Sequence, residues 1–250
     1  MKVFVVSNQK GGIGKSTTAH ALGAYSALKA GKRTLFIDLD AQGNLSQSLG
    51  ITTSAPSSYD VIKGDSSIKK AIVKVDTIGI SAVPSSPALT RATLDLTDVG
   101  KEFRLKEALE SVRNDYDVVV IDTPPALSIL TINALTAADS LIIPVQADLF
   151  SIEAVKEMAG TISTVRKYTN HNLKIEGILL CRYQGRSILS RNCADSFEVL
   201  ASNLKTKLFK TKIRESISIK EAQAVAKDIF SYSPKSNGAK DYEAFCKEIF

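Results

Sequence analysis

A glycine-rich turn joins an apolar run to a helix-like stretch near the start of this sequence, and no other feature restricts the fold so strongly. "KVFVVSN" reads as a buried strand, "KSTTAHALGAYSALKAG" as a helix closed by Gly31, and "QKGGIG" lies between them. Glycines at such a turn let the backbone approach an anion and aim its N–H groups inward, and the helix N-terminus adds a positive dipole end. Gly14, Lys15 and Ser16 fill the last positions of the pattern G-x-x-x-x-G-K-[ST]; Gln9 stands where the first glycine belongs, with a second lysine, Lys10, beside it. In that pattern the lysine, here Lys15, reaches the β- and γ-phosphates of a nucleotide and the Ser16 hydroxyl ligates Mg²⁺. Gly11, Gly12, Ile13 and Thr17 complete the wrap. One lysine suffices to grip a triphosphate. Lys10 is therefore either an exposed residue at the shoulder of the loop or a cation aimed at a phosphate on a second, facing subunit.

The same alternation continues along the chain. Apolar runs at 2–7, 33–38, 78–84, 116–122, 140–146 and 175–181 are near-continuous in Val, Ile and Leu, as expected for strands covered on both faces. Helix-like stretches at 15–30, 101–113, 126–137, 151–168 and 187–204 separate them. This order predicts an α/β fold: a doubly wound, mostly parallel central sheet with helices on both faces, of the P-loop NTPase type. The polar, turn-rich 50–75 region reads as an excursion at the edge of the sheet. With no internal repeat or linker, residues 1–250 are expected to form one P-loop domain. The loop begins so early that no N-terminal helix-turn-helix extension is expected.

Strand ends at the centre of such a sheet converge on the ligand crevice. Asp38 and Asp40 close one expected strand and share a face by alternation; Asp122 closes another after four apolar residues. Asp122 in that setting is expected to hold Mg²⁺, usually through water.

At this point the motifs match a known family. "KGGIGKST" resembles the deviant Walker A motif of the ParA/MinD superfamily, in which the first lysine acts on the partner subunit's nucleotide. "TLFIDLDAQGNLSQSLG" is similar to the A′ motif of ParA/Soj-type partition ATPases, usually D-x-D-P-Q-G-N, with Ala41 replacing the proline. "VVVIDTPP" resembles their Walker B motif, "IIPVQADLFSIEAV" their next strand and helix, and "FSYSPKSNGAKDYEAFCKEI" their closing segment. The resemblance implies a slow, Mg²⁺-dependent ATPase with Lys10, Lys15 and Asp40 as catalytic residues. Asp40 would position or activate the attacking water, and Asp38 would support the metal shell with Ser16 and Asp122. Purine contacts would come from the loops carrying Arg182 and Arg214, the latter standing where the family usually has a proline. ATP-driven homodimerisation, non-specific double-stranded DNA and a ParB-type centromere-binding partner are implied in the same way. So is a cytoplasmic, nucleoid-associated location without membrane attachment.

Charge is uneven: residues 161–250 carry 16 basic and 9 acidic side chains, whereas 1–160 carry 16 and 17. Local excess of this kind suits a polyanion-binding face. Family DNA contacts fall on Arg186 and on Ser218, the latter flanked by Arg214 and Lys220, so the candidate DNA contacts are Arg186, Arg214 and Lys220. The alternative is a MinD-like membrane-associated ATPase. Its tail would need a basic amphipathic face, but only Lys240 and Lys247 face Asp241, Glu243 and Glu248, so Tyr242, Phe245 and Ile249 read as core. The three cysteines are widely spaced, with none between residues 84 and 140, which disfavours a shared metal cluster.

Overall fold

Strands buried on both faces need apolar side chains at odd and even positions alike, and the chain supplies them. In the computed structural model, which describes residues 1–52, 55–75, 80–185 and 188–250, the runs form β1 (Lys2–Val6), β2 (Thr34–Asp38), β3 (Val73–Val75), β4 (Ile80–Val83), β5 (Val118–Asp122), β6 (Ser140–Val145) and β7 (Lys174–Leu180). They build one sheet in the order β3-β4-β2-β5-β1-β6-β7. Its pairings are parallel except at the β3–β4 edge. Alternation divides each strand between two cores. Val3, Val5, Leu35, Ile37, Val119 and Ile121 pack on one face, against helices that include Leu149–Tyr168. Phe4, Val6, Phe36, Val118 and Val120 pack on the other, against the helices Lys15–Leu28 and Asn237–Lys247.

The expected doubly wound sheet is present. The 50–75 region holds more order than a polar excursion: the short helix Ser58–Lys63, closed at its start by a Ser57–Asp60 capping box, and the antiparallel edge strand β3. The helix expected over 101–113 is shorter, a 3₁₀ turn at Lys101–Phe103 followed by Arg104–Glu110. The helix expected from 126 starts at Ile129, with Ser128 as its N-cap in extended backbone (φ −141°, ψ 175°). The tail helix Asn237–Lys247 spends its apolar face on the core: Tyr242 and Phe245 are fully buried. No helix among the described residues is long and apolar enough to cross a membrane.

His20, on the helix Lys15–Leu28, is buried with its ring edge-on to Phe36 at 6.1 Å. Burial lowers its pKa to about 4, against a smaller upward pull from Asp228. The unfolded imidazole takes a proton near pH 6.5, whereas the folded one refuses it until about pH 4. Stability from this site is therefore complete above pH 6.5 and drains away as pH falls through that window, by about 3 kcal/mol in all. His20→Gln should remove that share of the acid sensitivity, read as a smaller difference in urea-unfolding free energy between pH 7 and pH 4.5 than in the unmodified chain.

Candidate nucleotide-binding active site

Sheet register brings the site together. Val6 and Asp38 both lie beside Asp122 across the parallel pairings, so the ends of β1, β2 and β5 share one edge of the sheet. The glycine loop crosses that edge. Gly12 and Gly14 adopt left-handed backbone (φ 73° and 95°), a region that strains residues with a Cβ. Gly14 caps the following helix, and its carbonyl accepts the first helical bond, from the Thr18 N–H at 2.8 Å. Above the loop opens a crevice of about 660 Å³. Gly11, Gly12, Gly14, Lys15, Ser16 and Thr17 line one side, and Asp40, Arg182 and Arg214 border the rest. Ile13, expected to join the wrap, is fully buried and pins the loop to the core.

The two loop lysines part company. Lys15 is buried and donates from Nζ to the Lys10 carbonyl at 2.8 Å, so its ammonium rests inside the loop that a phosphate would fill. Burial lowers its pKa, while Asp122 and Asp40 act in the opposite sense. The Lys10 ammonium turns away from the crevice onto Asp148, 2.7 and 2.8 Å from its two oxygens. Burial raises the Asp148 acid, but Lys10 and the Ser151 N–H together hold it below the ordinary carboxylate value.

The three carboxylates are unlike one another. Asp122 is fully buried, and among the described residues neither of its oxygens has a hydrogen-bond partner. Burial and the neighbouring Asp38 push its acid well above the usual range, against Ser16 and Lys15. An orphaned buried carboxylate is costly unless a cation completes it. Ser16 and Asp122 thus fit Mg²⁺. Among the described residues no three acidic, His or Cys side chains converge into a self-sufficient metal site. That suits an ion that keeps several waters and borrows phosphate oxygens. Asp38, expected in the metal shell, is already engaged: Oδ2 accepts from the Ser46 N–H (2.8 Å) and hydroxyl (2.7 Å), and Oδ1 from the Asp40 N–H (3.1 Å). Burial raises its pKa to about 6 despite these donors. Asp40 lines the crevice, with Oδ1 accepting the Gln42 N–H at 3.1 Å.

The basic candidates divide differently from the expectation. Arg182 and Lys220 both bond Glu215 at 3.0 Å, Arg214 pairs with Asp241 at 2.6 Å, and all three cations line the crevice. Arg186 lies outside the described residues. Lys205, Lys207 and Lys210 are exposed on the segment that follows the helix Ile188–Asn203.

Several contributors escaped the sequence reading. Gln223 donates to the Thr17 hydroxyl at 3.0 Å, and the Tyr242 and Thr18 hydroxyls meet at 3.2 Å, fastening the C-terminal helices to the first turn after the loop. Neither carries a local signal. Asp148 does carry one: Asp-x-x-Ser before a helix is an N-cap pattern, and its Oδ1 accepts the Ser151 N–H.

A lysine-bearing glycine loop and strand-end aspartates, gathered where a parallel sheet opens, define a P-loop nucleotide-hydrolysing protein. The AAA domain family matches residues 1–175. Over 251 residues the chain is 37% identical to the sporulation initiation inhibitor protein Soj of Bacillus subtilis, covering 99% of this chain and 98% of that one. It is 35% identical over 251 residues to the chromosome partitioning protein ParA of Myxococcus xanthus, at 99% and 87% coverage. Among solved structures, one from Mycobacterium smegmatis described as cobyrinic acid a,c-diamide synthase, with ADP and magnesium, superposes with a TM-score of 0.84 at 34% identity, covering 99% and 93%. An ATP complex of Cyanothece McdA superposes at 0.88, with 26% identity and 100% and 96% coverage. The chain belongs to the ParA/Soj family of partition ATPases.

Proposed function

We propose that this chain is a Mg²⁺-dependent partition ATPase that dimerises on ATP, binds double-stranded DNA without sequence preference, and hydrolyses faster when a ParB-type partner engages it. The observation that carries this reading is the opposite placement of Lys10 and Lys15. Lys15 occupies its own loop, whereas Lys10 turns onto Asp148, away from that loop, and would become available to a facing protomer once it leaves this carboxylate. In hydrolysis, water forms a bond to the γ-phosphorus while the bond to the β–γ bridging oxygen breaks. ADP leaves with the electron pair, and the proton lost by water ends on phosphate or solvent. Asp40 orients the water, and Lys15 and the loop N–H groups neutralise developing charge. Mg²⁺, held by Ser16 and Asp122, supplies further charge neutralisation when bound.

DNA binding on this reading is a phosphate-backbone contact that weakens steeply with salt. Lys205, Lys207 and Lys210 offer exposed cations for it. Arg214 and Lys220, placed at the crevice lip, serve nucleotide and DNA at once. Such binding places the protein on the nucleoid, within the cytoplasm. The membrane alternative gains nothing from the tail, whose Tyr242 and Phe245 are buried.

Light scattering with a non-cleavable ATP analogue, with ADP and without nucleotide tests the reading. A dimer is expected only with the analogue, and Lys10→Ala is expected to stay monomeric while still binding it. An analogue-saturated monomer of the unmodified chain overturns the ATP-driven dimer; normal dimerisation of Lys10→Ala overturns the trans role of the lysine.

A further inference from the structure

We infer that Ser46 and Ser85 are positioning residues for ATP hydrolysis, acting with Asp38 to fix the backbone that carries Asp40. The inference rests on the reading of Asp40 as the residue that orients the attacking water. Four residues from three separate segments close a hydrogen-bonded ring. The Asp40 N–H donates to Asp38 Oδ1 at 3.1 Å. The Ser46 hydroxyl donates to Asp38 Oδ2 at 2.7 Å and accepts the Ser85 N–H at 3.0 Å. The Ser85 hydroxyl then donates to the Asp40 carbonyl, which also accepts the Gly43 N–H at 2.8 Å.

Both backbone groups of Asp40 are thereby tied down, one on each side of the Cα from which its carboxylate projects. The anchors come from the end of β2, the helix Asn44–Ser48 that follows it, and the loop after β4, whose Ser85 is 39 residues beyond Ser46 and is brought alongside by the β2–β4 pairing. Ser58 adds a strut, donating to the Asp38 carbonyl at 2.6 Å. Asp38 and Ser46 are buried, so the ring is shielded from competing water. A reacting group displaced by about 1 Å can lose on the order of 100-fold in rate. The ring therefore holds the Asp40 peptide in one orientation, while leaving its carboxylate on the crevice wall. Asp38 consequently acts through Asp40 instead of through the metal.

Serine was not singled out by any local pattern here, because the ring exists only once β2 and β4 lie side by side. Ser46→Ala and Ser85→Ala should each lower kcat by roughly 10- to 100-fold. The Kd for a non-cleavable ATP analogue and the melting temperature should change little, and Ser85→Thr, which keeps the hydroxyl, should recover most of the rate. The double alanine variant should be little slower than either single one, because both break the same ring. Asp40→Ala is measured alongside. Turnover preserved in Asp40→Ala sinks the role of Asp40 and this inference with it. Loss of turnover in Asp40→Ala with wild-type kcat in Ser85→Ala sinks the inference alone, as does loss of analogue binding in step with kcat. Ser85 lies on a half-buried loop, so its variant keeps the test decisive if Ser46→Ala fails to fold.

Discussion

Asp40→Ala should bind ATP with Mg²⁺ close to normally yet turn it over on the order of 10²- to 10⁴-fold more slowly. The carboxylate lines the crevice and takes its hydrogen bond from the Gln42 N–H instead of from the glycine loop, so its loss should leave the loop's N–H groups free to grip the phosphates. Lys15, the glycine N–H groups and the unpartnered Asp122 all remain. What would disappear, on the proposed role of Asp40, is the group that orients the attacking water, a contribution made far more in the transition state than in the ground state. A kcat loss with nearly constant analogue affinity is the expected signature. On the proposed reading the ATP-bound dimer should also persist, because an uncleaved triphosphate would be its clasp. Single-turnover hydrolysis and equilibrium titration separate these quantities. A parallel fall in both would place Asp40 in binding instead of turnover.

Gly23→Ala should destabilise the fold by about 1 to 3 kcal/mol even though alanine is the better helix former. Gly23 sits in the middle of the helix Lys15–Leu28, directly over the Phe36 ring of β2, and an added Cβ would overlap ring atoms Cζ and Cε1. Phe36 is fully buried between the sheet and that helix, so the ring has no free space to yield. The propensity gain of about 1 kcal/mol is smaller than the cost of the clash. Pairing the change with Phe36→Leu should restore part of the loss by making room, and urea unfolding of both variants measures it. A Gly23→Ala chain as stable as the original would show that the helix can lift off the sheet at no cost. Because the same helix starts at the phosphate loop, such a shift should also appear in nucleotide affinity.

Much of the fold was legible because its strands are long apolar runs and its helices lie between them. β1, β2, β5, β6 and β7 fall within the expected ranges to within a residue or two at each end. β3 was not legible: Val73–Val75 is three residues long in a polar surrounding and is a strand only because β4 offers an edge. The helices after residue 216 carry apolar residues at helical spacing, but their extents, Ile217–Ala224 and Asn237–Lys247, follow from what they cover. At the site, the loop, Asp40 and Asp122 announce themselves by spacing. Ser46, Ser85 and Gln223 do not, since each works through a partner 8 or more residues away.

By itself the amino-acid order settled that a glycine loop would bridge a buried strand and a helix, and that aspartates would end the neighbouring strands. Those features are local: backbone freedom at glycine, alternation along a strand and apolar periodicity act within a few residues. Only the folded chain decided which way each lysine turns, which carboxylate stays unpartnered and which serines brace Asp40. Those outcomes depend on contacts closed by parallel pairing, where burial makes an unmet hydrogen bond expensive and so selects one arrangement.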